Sequence, residues 1–240
     1  MQKEKRLQIR AGCKDTWNAF MTDKALFTEN DIPLCPTTAR VIPQNLISYP
    51  QARALYNKHK KKSNLEFSSE AYVHFYVDDQ NFDGKRNSIW LEPFKAKEIL
   101  QHFGGIITPD FSTYSDFPYP VQVYNTYRMR TFGYWYGMLL GYPVINNVRW
   151  ETEETFSYCF DGIPRNSIVA IGTVASGLRK LQRREIFSKG LFKMVEVLSP
   201  RAIIVYGSDR YFFFDELRDK IQIIRFKSDR EISFEGGKNE

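Results

Sequence analysis

The chain has 240 residues, of which 42% are hydrophobic and 26% charged, a balance that excludes wholesale disorder and supplies a core without disulfide staples. Aromatic residues reach 15%, so much of that core is built from rings. The formal charge of +6 is unevenly placed: residues 1–70 carry 12 basic against 7 acidic side chains and residues 71–240 carry 22 against 21, which excludes a uniformly basic protein.

The opening MQKEKRLQIRAG lacks the apolar stretch of a secretory signal, and no window of about 18 apolar residues exists for a membrane span. Cys13, Cys35 and Cys159 form neither an even set nor a C-x-x-C pair, and His59, His74 and His102 are scattered, so neither a disulfide framework nor a zinc site is read from spacing. A cytoplasmic protein is expected. Prolines at 33, 36, 43 and 50 break the first third into loops. A small amphipathic helix is expected over Thr16–Phe27, and another over Tyr49–Lys60, opening at Pro50. The run from Lys58 through His59, Lys60 and Lys61 to Lys62 reads either as a solvated helix end or as an attractor of phosphate backbones.

From residue 71 short apolar runs recur: Ala71–Val77, Gly105–Thr108, Pro143–Val148, Ile168–Ile171, Ala202–Tyr206 and Ile221–Phe226. Each has the length of a strand, and all but the last end on polar residues. Helix patterns lie between them, over Leu91–Phe103, Pro120–Leu140, Glu153–Phe160, Arg184–Leu198 and Phe213–Lys220. Such alternation predicts an α/β fold of β/α units with a mainly parallel sheet. A barrel-like or partial barrel is favoured, completed by a piece of the N-terminal third such as Ala39–Ile42, with an open doubly wound sheet as the alternative. The expected organisation is an irregular or helical extension over residues 1–37, one α/β domain over 38–230, and a flexible tail over 231–240.

Ligands of parallel α/β folds bind beyond the carboxyl ends of the strands. The polar residues there are Asp78 and Asp79, then Asp110 and Ser112, then Arg149, Trp150 and Glu151, then Thr173 and Ser208. Crowded carboxylates can hold a divalent cation such as Mg²⁺ or Mn²⁺, or divide acid and base roles, so Asp78, Asp79 and Asp110 are the candidate catalytic and metal-binding residues. The same residue types also serve as helix caps and structural ion pairs. Gln122, Asn125 and Arg128 fall on one face of the helix after the second strand, where amides and a guanidinium suit an anion. Asn125, Arg128, Arg149, Trp150, Thr173 and Ser208 are therefore the candidate substrate-binding residues, with Trp150 as a stacking surface. Arg179, Lys180, Arg183 and Arg184 cluster after the fourth strand. Gly172–Gly177 lacks the lysine of a phosphate loop, and Ser208 lacks the glycine-flanked setting of a nucleophile elbow.

The ordered motifs FYVDD, TPDFS, YNTYRMR, NVRW, CFDGIP and IVYGS resemble an uncharacterised family, a domain of unknown function found in bacteria, phages and mobile elements. The resemblance covers residues 38–226. It implies no particular activity, but it implies that Asp78, Asp79, Asp110, Asn125, Arg128, Arg149, Trp150, Asp161 and Gly162 lie in family motifs. After Arg149-Trp150 the family pattern continues Gly-Asp, where this chain has Glu151-Thr152. Asp161-Gly162 reads as a turn before the fourth strand.

The leading expectation is an enzyme, a hydrolase acting on a phosphoester or nucleic-acid-derived substrate at the strand ends. The alternative is a non-catalytic protein of a mobile element that binds nucleic acid or a host protein through Lys58–Lys62, Arg179 and Arg184. A carbohydrate-active barrel using Asp79 and Asp110 rests on fold analogy alone.

Overall fold

A computed structural model describes residues 3–4, 10–63, 66–174 and 176–236. They fall into two units, residues 1–147 with 161–164 and residues 148–160 with 165–240.

In the first unit, β1 (Lys3–Glu4) pairs antiparallel with β2 (Leu26–Phe27). Between them the expected helix over Thr16–Phe27 is reduced to a 3-10 turn, Ala19–Thr22. Its bounds have a backbone cause, because Asn18 and Lys24 both take positive φ, at 53° and 58°, and neither can continue a right-handed helix. The main sheet then starts with β3 (Leu46–Ser48), followed by β4 (Ser69–His74), β5 (Phe103–Ile107) and β6 (Val144–Asn147), each parallel to the one before. The N-terminal third thus does add a strand, but it is β3 and not Ala39–Ile42. Ala39 donates only an N–H to the Val144 carbonyl at 3.1 Å, and Pro43 has no N–H for a ladder.

Helices α1 (Tyr49–Lys61), α2 (Pro93–Leu100) and α3 (Tyr119–Tyr134) make the crossovers. Helix α1 begins where a capping box and a proline coincide: Ser48 caps the helix start and its N–H donates to the Gln51 side chain at 3.2 Å, with Pro50 in the first turn. Its last turn carries Lys58, His59, Lys60 and Lys61, cations that suit the negative end of the helix dipole. Helix α3 runs on into a π-helical turn, Trp135–Leu139. It lies close on the end of β5, since a Cβ on Gly133 would come within 2.5 Å of the Thr108 methyl and 2.6 Å of the Cys35 sulfur. The core between sheet and helices is largely aromatic, with Tyr49, Phe75, Phe82, Phe111 and Phe132 all buried.

In the second unit β7 (Ile168–Gly172), β8 (Ala202–Tyr206) and β9 (Gln222–Phe226) are parallel and in register from Ile168↔Ala202↔Gln222 to Gly172↔Tyr206↔Phe226. Strands β7 and β8 are almost wholly buried, as continuous apolar runs between covering layers should be. Helices α4 (Leu181–Leu198) and α5 (Phe212–Arg218) connect them. The segment expected to be a helix at Glu153–Phe160 is a 3-10 turn, Glu153–Ser157. A last helix, α6 (Asp229–Gly236), starts where the Glu231 carboxylate accepts the Ser228 N–H at 2.9 Å and its hydroxyl at 3.0 Å. Residues 237–240 lie outside the described residues.

The fold is therefore α/β with parallel strands in chain order within each unit. No strand order reverses inside either unit, as it would at the switch point of a doubly wound sheet.

Candidate functional site

The first unit gathers Asp79, Asn125 and Arg128 into one network. Strand β4 ends at His74, because the Tyr76 N–H turns back to the His74 Nδ1 at 3.2 Å instead of continuing the ladder. The chain then enters a 3-10 turn at Asp79–Asn81. There the Asp79 carboxylate accepts the Ser112 N–H at 3.1 Å and the Ser112 hydroxyl at 2.9 Å. The Ser112 carbonyl accepts the Asn125 amide, and the Asn125 oxygen accepts Arg128 Nε at 3.2 Å and Nη2 at 2.7 Å. Arg128 Nη1 closes the chain on Asp83 at 2.5 Å, and the other Asp83 oxygen takes the Ser88 hydroxyl at 2.5 Å. The guanidinium lies 3.9 Å over the Phe111 ring. Gln122, on the same helix face, donates to the Phe117 carbonyl at 2.8 Å.

Asp110 sits in a second group. It accepts the Asn147 amide at 2.7 Å, while the Asn147 oxygen takes the Tyr76 hydroxyl at 3.0 Å and the Asn147 N–H donates to Thr108 at 2.8 Å. Arg130, fully buried, donates to the Asn147 carbonyl at 3.0 Å and the Asp161 carbonyl at 2.9 Å. Gly162 takes positive φ, at 77°, in the turn expected at Asp161-Gly162. Burial drives the His74 pKa down to about 3, so this imidazole is neutral near pH 7. Burial likewise pushes the Cys35 thiol up to about 12, only partly offset by Arg130 and the Asn146 amide, which leaves no thiolate for chemistry. Asp78 is exposed. Among the described residues no three His, Cys, Asp or Glu side chains form a group able to hold a metal ion.

The remaining candidates belong to the second unit. Arg149 and Arg183 approach opposite oxygens of Glu151 at 3.4 and 3.5 Å. Trp150 is buried against Phe160 and Phe187, and a Cβ added to Gly190 of α4 would overlap its indole nitrogen; the ring is packed inside the unit. Thr173 donates its N–H and hydroxyl to the Tyr206 carbonyl at 3.0 and 3.3 Å, holding the ends of β7 and β8 together. Ser208 accepts the Arg210 N–H at 3.4 Å. Asp209 is occupied by Arg218 at 2.6 Å and Arg225 at 3.4 Å.

A different set of side chains at this strand edge is left open. Helix α4 starts after Lys180 with no side-chain cap and no acidic residue in its first turn. Arg184 fastens the preceding loop: its Nε donates to the Leu178 carbonyl at 2.6 Å, and its guanidinium lies 5.7 Å from the centre of the Tyr211 ring in the β8–α5 connection. Arg179, Lys180 and Arg210 are exposed around that staple. Their side chains make no ion pair or hydrogen bond to any described residue. Sequence reasoning found the cluster at 179–184 but not Arg210, which only the pairing of β7 with β8 brings to the same edge. It also missed Asp83, Asn147 and Arg130, whose partners lie far away in the chain and leave no local periodicity.

The sequence profile of a domain of unknown function, DUF4417, matches residues 26–227, in agreement with the resemblance carried by the ordered motifs. The Gene 1 protein of Mycobacterium phage D29 is 33% identical over 183 residues, which is 75% of this chain and 62% of the phage protein. The Gene 1 protein of Mycobacterium phage L5 is 34% identical over 140 residues, 58% of each chain. This chain thus spans less than two thirds of the length of the curated relatives it matches. No solved structure matches it. No helix among the described residues is long and apolar enough to cross a membrane.

Proposed function

We propose that this chain, which belongs to the DUF4417 family of domains of unknown function, is a binding protein for a phosphate-bearing polyanion, a nucleic acid, engaged at the β7–β8 edge of its second unit. The observation that supports the reading is the set of three exposed cations without partners among the described residues, Arg179, Lys180 and Arg210, around the uncapped start of α4. Backbone N–H groups at a helix start and free cations both favour phosphate oxygens.

Hydrolysis by Asp78, Asp79 and Asp110 is the weaker reading. The Asp79 carboxylate already accepts two hydrogen bonds from Ser112, and Asp110 is held by Asn147. Accepted hydrogen bonds leave a carboxylate lone pairs for a proton or a cation; what weakens this reading is that Asp79 and Asp110 belong to separate networks and that, among the described residues, no three His, Cys, Asp or Glu side chains form a group able to hold a metal ion.

Three phosphate contacts carry a definite salt dependence. With a slope of about −0.9 per neutralised phosphate on duplex DNA, affinity should fall about 40-fold between 50 and 200 mM salt. Fluorescence anisotropy with labelled duplex and single-stranded oligonucleotides tests this. The double variant Arg179→Glu/Lys180→Glu should weaken binding and flatten the salt slope by about two contacts. Binding that is salt-independent, or that survives the double variant unchanged, would refute the proposal.

A further inference from the structure

The first unit carries a groove of another character. A cleft of about 290 Å³ runs between the segments 14–18 and 85–92. Two hydrogen bonds fix its walls: Trp90 Nε1 donates to the Thr16 carbonyl at 2.9 Å, and the Asn18 amide donates to the Trp90 carbonyl at 2.7 Å. Three exposed cations line it, Lys14, Lys85 and Arg86. None of their side chains has a partner among the described residues. The two acids of the lining are occupied: Asp15 accepts the Ala19 N–H at 3.0 Å, and Glu92 pairs with Lys95 at 2.7 Å. With three cations against two carboxylates, one of them paired with Lys95, the cleft carries a net positive charge.

Both walls lead directly into exposed apolar side chains. Two residues beyond Asn18, Phe20 is 36% exposed; beyond Trp90, Leu91 and Phe94 are 63% and 60% exposed. The two segments meet there, since the Phe20 and Phe94 rings stack with centroids 5.5 Å apart, and both rest edge-on against Trp135. A cationic cleft is thus continuous with an apolar ledge. Large apolar side chains rarely gather at a surface without a partner.

We infer that this groove docks an acidic peptide segment of a partner protein, its apolar side chains on Leu91, Phe94 and Phe20 and its carboxylates against Lys14, Lys85 and Arg86. The chemistry favours a peptide over a nucleic acid strand. Leu91 offers no π face for a base, and the Phe20 and Phe94 rings already stack on each other, closing one face of each.

The test is a peptide array probed with the full chain, carrying short acidic–apolar, basic–apolar and neutral polar sequences at equal density, followed by anisotropy on the best binders. The acidic–apolar class should dominate. Leu91→Ser and Phe94→Ser, both at exposed positions, should each lower affinity at least about tenfold, and Lys85→Glu/Arg86→Glu should lower it with a loss of salt sensitivity; thermal melts should stay unchanged for the Leu91 and charge variants, while Phe94→Ser also loses its ring contacts with Phe20 and Trp135. Equal signal across the three classes would overturn the inference, as would affinity retained in both apolar variants. A single-stranded oligonucleotide that bound more tightly than every peptide, and was lost in the same variants, would overturn it in favour of nucleic acid.

Discussion

Arg128 separates a ligand-binding role from a structural one, and the two roles predict different numbers. Its guanidinium makes two hydrogen bonds to Asn125, one at 2.5 Å to Asp83, and a face-on contact 3.9 Å above Phe111. The Arg128 and Asp83 side chains are 11% and 16% exposed, so solvent screens the pair only weakly. Arg128→Ala leaves Asp83 with Ser88 as its one remaining side-chain partner in a largely desolvated place. Removing one partner of such a pair costs about 3–5 kcal/mol, a large share of a total stability of about 5–15 kcal/mol. Arg128→Lys keeps the charge but cannot reach Asn125 and Asp83 with one planar fork, so an intermediate loss is expected.

Urea unfolding followed by tryptophan fluorescence is the natural assay, because the Trp90 ring lies 5.8 Å from the guanidinium. Adding Asp83→Ala to Arg128→Ala should recover part of the loss, with a coupling of at least about 1.5 kcal/mol. Oligonucleotide affinity measured where Arg128→Ala is still folded should not change. A stability loss below about 1 kcal/mol together with lost affinity would refute the structural account and restore Arg128 as a ligand residue.

Two further outcomes follow from buried groups. His74 has its pKa lowered from 6.5 to about 3 by burial, so the unfolded chain takes up a proton that the folded chain refuses. Its contribution is complete above about pH 6.5 and is lost as pH falls toward 3, on the order of 5 kcal/mol across that window. His74→Gln should flatten the stability slope between pH 4 and 7, and an unaltered slope would sink the assignment. At Gly190, helix propensity alone would make Gly190→Ala stabilising by about 0.5–1 kcal/mol. The Trp150 indole occupies the space of the new methyl, so a net loss of about 1–3 kcal/mol and a shifted Trp150 emission are expected instead; a rise in Tm would show that the ring is free to move.

The parts of the fold legible in the sequence are those encoded by local pattern. Strand β8 is read without error, because AIIVY is a short apolar run with Gly207-Ser208 behind it. Strand β4 is read two or three residues late, since nothing in AYVHFYV announces that the His74 ring will capture the Tyr76 N–H and end the ladder. Helix α6 had a signal that was overlooked: Ser228-x-x-Glu231 is a capping pattern, and the structure forms its hydrogen bonds. The candidate residues follow the same division. The i, i+3 spacing of Asn125 and Arg128 correctly puts them on one face, and they bond to each other. Their other partners, Ser112 and Asp83, sit on loops that only the tertiary fold brings near. Arg128 and Arg130 look alike in YRMR, yet one keeps a solvent edge and the other is fully buried.

The contrast between the strand edges of the two units bears on where a ligand binds. An anion approaching Arg128 meets Asp83 and Asn125 already on three of its five N–H donors, and the Arg128→Ala experiment measures how much that network stabilises the fold. An anion approaching Arg179, Lys180 or Arg210 would displace no partner among the described residues, and the release of counterions would favour binding. Polar residues at the strand ends therefore do not all have equal claim to function. Those with partners supplied by the fold hold the loops in place, as Thr173 does for β7 and β8 and Arg184 does for the start of α4. Such contacts fix the backbone that carries the neighbouring cations, whereas the exposed Arg and Lys side chains themselves would still lose about 0.5–1.5 kcal/mol each in rotamer freedom on meeting a ligand.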